Sequence, residues 1–167
     1  MKAPNIITQL MLAVLFTHEL DAMAHSEWRL LYVLRSLADE QGLWWFVAIH
    51  IPLFWALVAL THHANDTLQR ASRISFAVFC IVHALLHWRL ANDPVSTFTS
   101  PLSWSLILGP AALGVMFLGM EASATKAKRR WSNSRGQSHR HGQSRVRVLH
   151  RERAAVRLRH QAAQVKS

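Results

Sequence analysis

Four long apolar stretches occupy most of the first 120 residues, and they constrain the fold more than any other feature of the sequence. Each approaches the roughly 20 residues that a helix needs to cross the hydrocarbon core of a bilayer. Because short polar connections join them, the pattern predicts an all-α bundle of four transmembrane helices. The competing class is a soluble bundle of unusually apolar helices. The predicted spans are about 6–24, 43–60, 74–90 and 102–120.

Charge divides the chain into an apolar membrane domain, 1–120, and a basic tail, 121–167. The tail holds 13 of the 19 Lys and Arg residues but only two of the nine acidic residues. It has few residues that can build a core, so we expect it to be disordered. Its first basic residues would contact anionic lipid headgroups. Nucleic acid is not the expected partner, because Trp131 is the only aromatic residue in the tail that can stack on bases.

The distribution of basic residues also predicts the orientation in the membrane. The positive-inside rule places the tail in the cytoplasm, and four spans return the N-terminus to the same side. We therefore expect a multi-pass protein of the cell (inner) membrane with both termini cytoplasmic and the connections 25–42 and 91–101 facing outward. Tryptophans cluster where the spans meet these outward connections, as in an interfacial aromatic belt. They are Trp28, Trp44, Trp45, Trp88 and Trp104.

Residues 27–37, in the first outward connection, carry apolar side chains at helical spacing. This spacing predicts a short helix that lies on the outer membrane surface. The same residues can instead form an extension of the first span that bends over.

Ala22-Met23-Ala24 follows an apolar run and resembles a signal-peptidase site. Cleavage there would remove the first span and leave three. The ionisable residues His18, Glu19 and Asp21 stand directly before the site, and they argue against a discarded peptide.

Ionisable side chains inside predicted spans are costly in lipid and are functional candidates by default. His18, His50 and His83 each lie about seven residues inside the outer end of their spans, which is roughly 10 Å deep. His87 follows His83 at i+4, and Asp21 follows His18 at i+3, so each pair shares a helix face. These five residues are candidate ligands of one metal ion, and we expect His50 and His83 to share it. Imidazole and carboxylate ligands suit divalent Zn, Fe or Mn rather than Cu(I).

Two classes of function stay open at the level of the sequence. In the first, the chain is a metal-binding protein or a metal-dependent membrane enzyme, in which Glu19 and Glu27 are the candidate catalytic residues that move protons. In the second, it is a small proton-coupled carrier or a structural membrane subunit without metal. The same side chains would then relay protons or pair helices. The zinc-protease motif His-Glu-x-x-His is incomplete at His18, because position 22 is alanine.

The run His18-Glu19-Leu20-Asp21-Ala22, followed by Glu27-Trp28-Arg29, resembles the opening signature of a family of small multi-span membrane proteins. That family is a domain of unknown function. His83, His87 and Ser100-Pro101-Leu102-Ser103-Trp104 are similar to the rest of its pattern, so the resemblance covers roughly residues 6–120. It implies an integral membrane protein with no established activity. It also argues against signal cleavage, since the signature spans the cleavage site.

Overall fold

Four long helices make up most of the structure, a computed structural model that describes residues 3–131. All four are long and apolar enough to cross a membrane, and the described residues contain no strand. The predicted all-α, four-span class is therefore confirmed. The helices are α1, Ala3–Ala24; α2, Asp39–Thr61; α3, Asp66–Leu90; and α4, Pro101–Trp131.

The helices extend beyond the apolar stretches from which they were predicted. Helix α3 begins at Asp66 rather than near 74, because the Asn65 side chain caps it by accepting the N–H groups of Thr67 and Leu68. Helix α4 continues past 120 to Trp131. The first part of the predicted tail is thus helical, and its remainder, 132–167, lies outside the described residues. Residues through Glu121 form one compact unit, and the end of α4, from Ala122 to Trp131, belongs to a second.

The connection between α1 and α2 is not the helix that was predicted for residues 27–37. It contains two single 3-10 turns, Glu27–Arg29 and Leu34–Ser36. Ser26 causes the interruption, because it takes a left-handed conformation with φ 56°. That conformation cannot continue a right-handed helix, so α1 does not extend into the connection.

Trp28 turns inward from this connection instead of joining an exposed belt. Its side chain is buried and packs against Phe46 of α2, with ring centroids 6.2 Å apart. Gly42 makes room for it, since a Cβ added there would lie 2.7 Å from Trp28 Cδ1. Arg29 forms an ion pair with Asp39 in the first turn of α2. The connection is therefore attached to the start of α2 by one buried ring and one ion pair.

The helices of the first unit pack around two clusters of buried residues. Gly114 of α4 allows close approach to α3, because a Cβ there would lie 2.8 Å from the carbonyl oxygen of Ala77. Small residues serve this purpose in membrane helices, which associate by close packing. One cluster joins α1, α3 and α4. The other includes Trp28 of the 25–38 connection together with residues of all four helices and Phe98. The first comprises Ile7, Met11, Leu12, Leu15, Phe76, Ala77, Cys80 and Phe117, and the second Ala22, Trp28, Phe46, Ala84, Phe98 and Ile107.

Helix α2 exposes much more apolar surface than its neighbours. Only 6% of its most apolar window is buried, against 28–44% in the other three helices. Trp44 and Trp45 near its start and Trp55 farther along are all exposed. In water this surface would be very unfavourable, whereas a lipid environment accommodates it. The exposure pattern therefore agrees with contact between α2 and a bilayer.

Candidate metal centre

Three histidines and one glutamate from separate parts of the chain meet beneath the 25–38 connection. His18 comes from α1, Glu27 from the first 3-10 turn, and His83 and His87 from the last turns of α3. Each offers one ligand atom, and these atoms lie within 4.8 Å of one another. We refer to these four residues as the His/Glu group.

Local geometry explains how the group assembles. His83 and His87 are one turn apart on α3, so their rings lie side by side with centroids 4.7 Å apart. The ring of His18 approaches both, with centroid distances of 5.0 and 5.1 Å. Ser26 reverses the chain directly after α1, and this reversal returns Glu27 to the histidines.

The two contacts between Glu27 and the histidines are longer than ordinary hydrogen bonds. Glu27 Oε2 lies 3.5 Å from His18 Nε2, and Glu27 Oε1 lies 3.4 Å from His87 Nε2. An N–H···O hydrogen bond is usually about 2.7–3.2 Å long. Ligand atoms at the corners of a tetrahedron around Zn²⁺ stand about 3.3–3.4 Å apart, given metal–ligand distances of about 2.0–2.1 Å. The two Glu27–histidine separations are close to this tetrahedral edge, and the four ligand atoms together lie within 4.8 Å of one another.

Several polar atoms of the group are buried without a hydrogen-bond partner. Within residues 3–131, His18 Nε2, Glu27 Oε2 and His83 Nε2 all lack one. The whole side chain of His18 is inaccessible to solvent, and Glu27 is 6% exposed. Each unsatisfied buried group costs about 1–3 kcal/mol. A bound cation would remove that cost at all three atoms together.

Glu27 has the ionisation state that metal binding requires. Burial alone would raise the pKa of its carboxyl group, but interactions with His18 and His87 lower it by more. The net pKa lies below the usual range for glutamate, so the side chain is a carboxylate at neutral pH. This is the form that ligates divalent metals.

Phe98, in the connection between α3 and α4, covers the group. It is 5% exposed, and its ring lies 4.9 Å from that of His87 and 5.9 Å from that of His18. It also stacks on His25 at 5.1 Å, while Thr97 Oγ1 donates a hydrogen bond to the His25 carbonyl. Phe98 is not among the site residues predicted from the sequence. Its signal was that it is the one aromatic residue in the polar connection 91–100.

His50 does not join the His/Glu group, although its predicted depth matches that of His18 and His83. Its Nε2 lies 3.0 Å from Glu19 Oε2, and its Nδ1 donates to the carbonyl of Phe46. Both side chains line a cavity of about 220 Å³ between α1 and α2. Glu19 and His50, two of the predicted site residues, therefore form a separate pair.

Asp21 also lies apart from the group and pairs with His25. His25 Nδ1 donates a hydrogen bond to the backbone carbonyl of Asp21 at 2.8 Å. The same nitrogen lies 3.3 Å from Asp21 Oδ1. The predicted ligands thus fall into two sets. His18, His83 and His87 come together, whereas Asp21 and His50 each contact other residues. Glu27, predicted as a catalytic residue, lies among the three histidines.

Comparison with known proteins gives a family and no activity. The model of a family of unknown function, DUF6713, matches residues 4–124. The matched region contains every residue of the His/Glu group and the Glu19–His50 pair. No curated protein and no solved structure matches the chain significantly.

Proposed function

The chain belongs to DUF6713, a family of unknown function, and we propose that it binds one divalent metal ion within the membrane through His18, Glu27, His83 and His87. The observation that carries this proposal is the convergence of unpartnered buried atoms on one point. Three of them, from α1, the connection and α3, have no hydrogen-bond partner among the described residues. A metal ion is the simplest single group that satisfies all of them.

The donor set limits which ion fits. Three imidazoles and one carboxylate favour Zn, Fe or Mn, and they exclude the thiolate-rich sites that suit Cu(I). Zn²⁺ is compatible with the Glu27–His18 and Glu27–His87 separations, because it accepts four ligands in a compact tetrahedron. Glu27 would reduce the net charge of a divalent site to about one, which lowers the cost of burying it in a low-dielectric layer.

The same geometry defines what the ion would do. It would join α1, the 25–38 connection and α3 at one point, which stabilises the bundle. Three histidines are also the ligand set of catalytic zinc sites that keep a fourth position for water. If Glu27 leaves the ion, its carboxylate stands ready to accept a proton from that water. We therefore place any metal-dependent chemistry of this protein at Glu27 rather than at Glu19.

We place the His/Glu group toward the outer face of the cell membrane, with both termini in the cytoplasm. Arg70 and Arg73 lie near the start of α3, whereas His83 and His87 lie near its end. Four more basic residues follow the apolar part of α4: Lys126, Lys128, Arg129 and Arg130. Basic residues mark the cytoplasmic side, so the histidines belong toward the opposite side. These four basic residues in the last turns of α4 would contact anionic headgroups.

Metal content of purified variants tests this proposal. We expect about one ion per chain in the wild type and its loss in His18→Ala and His83→Ala, since such sites rarely tolerate a missing ligand. His62→Ala, which changes an exposed histidine between α2 and α3, is the matched control. His50→Ala separates the two ligand sets, because the structure-based set predicts that this variant keeps the ion. A metal-free wild type would favour the carrier or structural role.

A further inference from the structure

We propose that the cavity between α1 and α2 binds the ring of a lipid-soluble quinone, held by the Glu19–His50 pair. This proposal is independent of the metal centre, and it assigns a ligand to residues that the His/Glu group leaves out. The cavity has a volume of about 220 Å³. Ligand pockets for drug-sized molecules are about 300–1,000 Å³. The space therefore suits a single ring and the start of a chain rather than a larger molecule.

The cavity opens on a face that lipid would cover. Leu20 and Ile51 line it and are 64% and 72% exposed, and both are apolar. A ligand would therefore arrive from the bilayer, with its tail remaining among the lipid chains. Water-soluble substrates are disfavoured at such an opening, since they would have to partition into the membrane first.

The wall of the cavity is aromatic and suits a planar ring. Phe16, Phe46 and Phe54 all line it. The rings of Phe16 and Phe54 are 4.2 Å apart, and the His50 ring lies 4.5 Å from Phe46 and 5.2 Å from Phe54. Aromatic rings favour offset or edge-on contact with another flat ring. A linear acyl chain would gain no comparable benefit from this arrangement.

The Glu19–His50 pair can donate a hydrogen bond to a carbonyl oxygen. A carbonyl can only accept, so the contact with Phe46 fixes a proton on His50 Nδ1. One further proton lies between His50 Nε2 and Glu19 Oε2. A quinone carbonyl beside the pair can become a further acceptor of that proton in a three-centre hydrogen bond, and the charge of the pair does not change. An uncharged ring with a carbonyl oxygen is therefore the chemistry that this site recognises.

Calorimetric titration of the full chain in lipid nanodiscs tests the proposal, with empty nanodiscs as the background. The probes are a benzoquinone that carries a decyl chain and decanol, which has the chain without the ring. We expect saturable binding of about one quinone per chain and none for decanol. No saturable quinone binding in the wild type, or equal binding of decanol, would overturn the proposal.

Two variants locate the site, and a third is the control. Glu19→Gln removes the ionisable partner of His50 and should weaken quinone binding about tenfold, as expected for loss of one hydrogen bond. Val47→Trp fills the cavity and should abolish binding. Val78→Trp changes a similarly exposed valine on α3 that does not line the cavity, and it should bind normally.

Unchanged binding in Val47→Trp would overturn the proposal. Melting curves show whether Glu19→Gln and Val47→Trp fold. If one of them does not fold, quinone binding by the other decides the result. Glu19→Gln should also retain the metal of the His/Glu group. Loss of quinone binding with metal retained separates this site from the metal centre.

Discussion

Glu27 Oε2 lies 3.5 Å from His18 Nε2, although α1 ends between the two residues. The contact exists because Ser26 takes a left-handed conformation and turns the chain back at once. Neither atom has a hydrogen-bond partner among residues 3–131, and both are buried. A carboxylate has thus been brought to a buried histidine without forming a hydrogen bond with it. This relationship is the core of the metal-site proposal.

The first prediction concerns the turn at Ser26. A non-glycine residue in the left-handed region costs about 1–2 kcal/mol, and a β-branched residue there is a genuine outlier. We expect Ser26→Gly to keep the metal and to raise the melting temperature slightly. Ser26→Val should lower both stability and metal content. Ser36→Val makes the same change at an exposed position without positive φ and should have little effect. Equal effects at 26 and 36 would contradict the role given to this turn.

The second prediction concerns the cover over the His/Glu group. Phe98→Ala removes a buried ring that touches His18 and His87, so it should destabilise the protein by about 3–5 kcal/mol. It should also speed the loss of metal to a chelator, because water then reaches the group. Chelation kinetics and thermal melting measure the two effects. Leu85→Ala removes an exposed side chain on α3 and serves as the control. Chelation at the wild-type rate in Phe98→Ala would show that Phe98 does not shield the ion.

The third prediction compares two helical glycines. Gly42→Ala places a Cβ 2.7 Å from Trp28 Cδ1, so Trp28 must move, and overpacking of this kind costs about 1–3 kcal/mol. Outside its own turn of α4, a Cβ added at Gly119 lies within 4 Å of no atom of residues 3–131, so Gly119→Ala should stabilise α4 by about 0.5–1 kcal/mol. Denaturation in detergent should therefore shift in opposite directions for the two variants. Shifts of the same sign would mean that the Trp28 side chain does not pack closely against Gly42.

Part of the candidate site could be predicted from the sequence, and part could not. The i,i+4 spacing of His83 and His87 predicts a shared face, and the structure brings both together with His18. Matched depth suggested His50 as well, but depth is measured along a helix and does not say toward which neighbour the side chain points. His50 is directed to Glu19 instead.

Glu27 was harder to place, because its position depends on one backbone angle. Ser26 lacks the usual sequence signal of a left-handed residue, which is glycine or asparagine. Helical spacing in residues 27–37 predicted a helix. The structure has two 3-10 turns there instead, and the Trp28 side chain packs against Gly42 and Phe46. The four spans were easier to predict, since long apolar runs determine them almost independently of packing.

The fourth prediction concerns orientation in the membrane. Ala38→Cys should react with a membrane-impermeant thiol reagent in intact cells, and Ala64→Cys should not. Ala64 lies in the short connection between α2 and α3, next to the capping Asn65, which this choice leaves intact. Native Cys80 is buried and provides the background. The reverse labelling pattern would invert the topology, and labelling at both positions would contradict four spans.

The X-ray absorption spectrum of the purified wild-type protein, recorded at the edge of its bound metal, tests the His/Glu metal site most directly. We expect about one ion per chain, with nitrogen and oxygen neighbours at about 2.0–2.1 Å and the multiple-scattering pattern of three imidazoles. His50→Ala should give the same spectrum, and His83→Ala should lose it. Stoichiometric metal bound through sulfur at about 2.3 Å, or a wild-type protein without metal, would rule out this site.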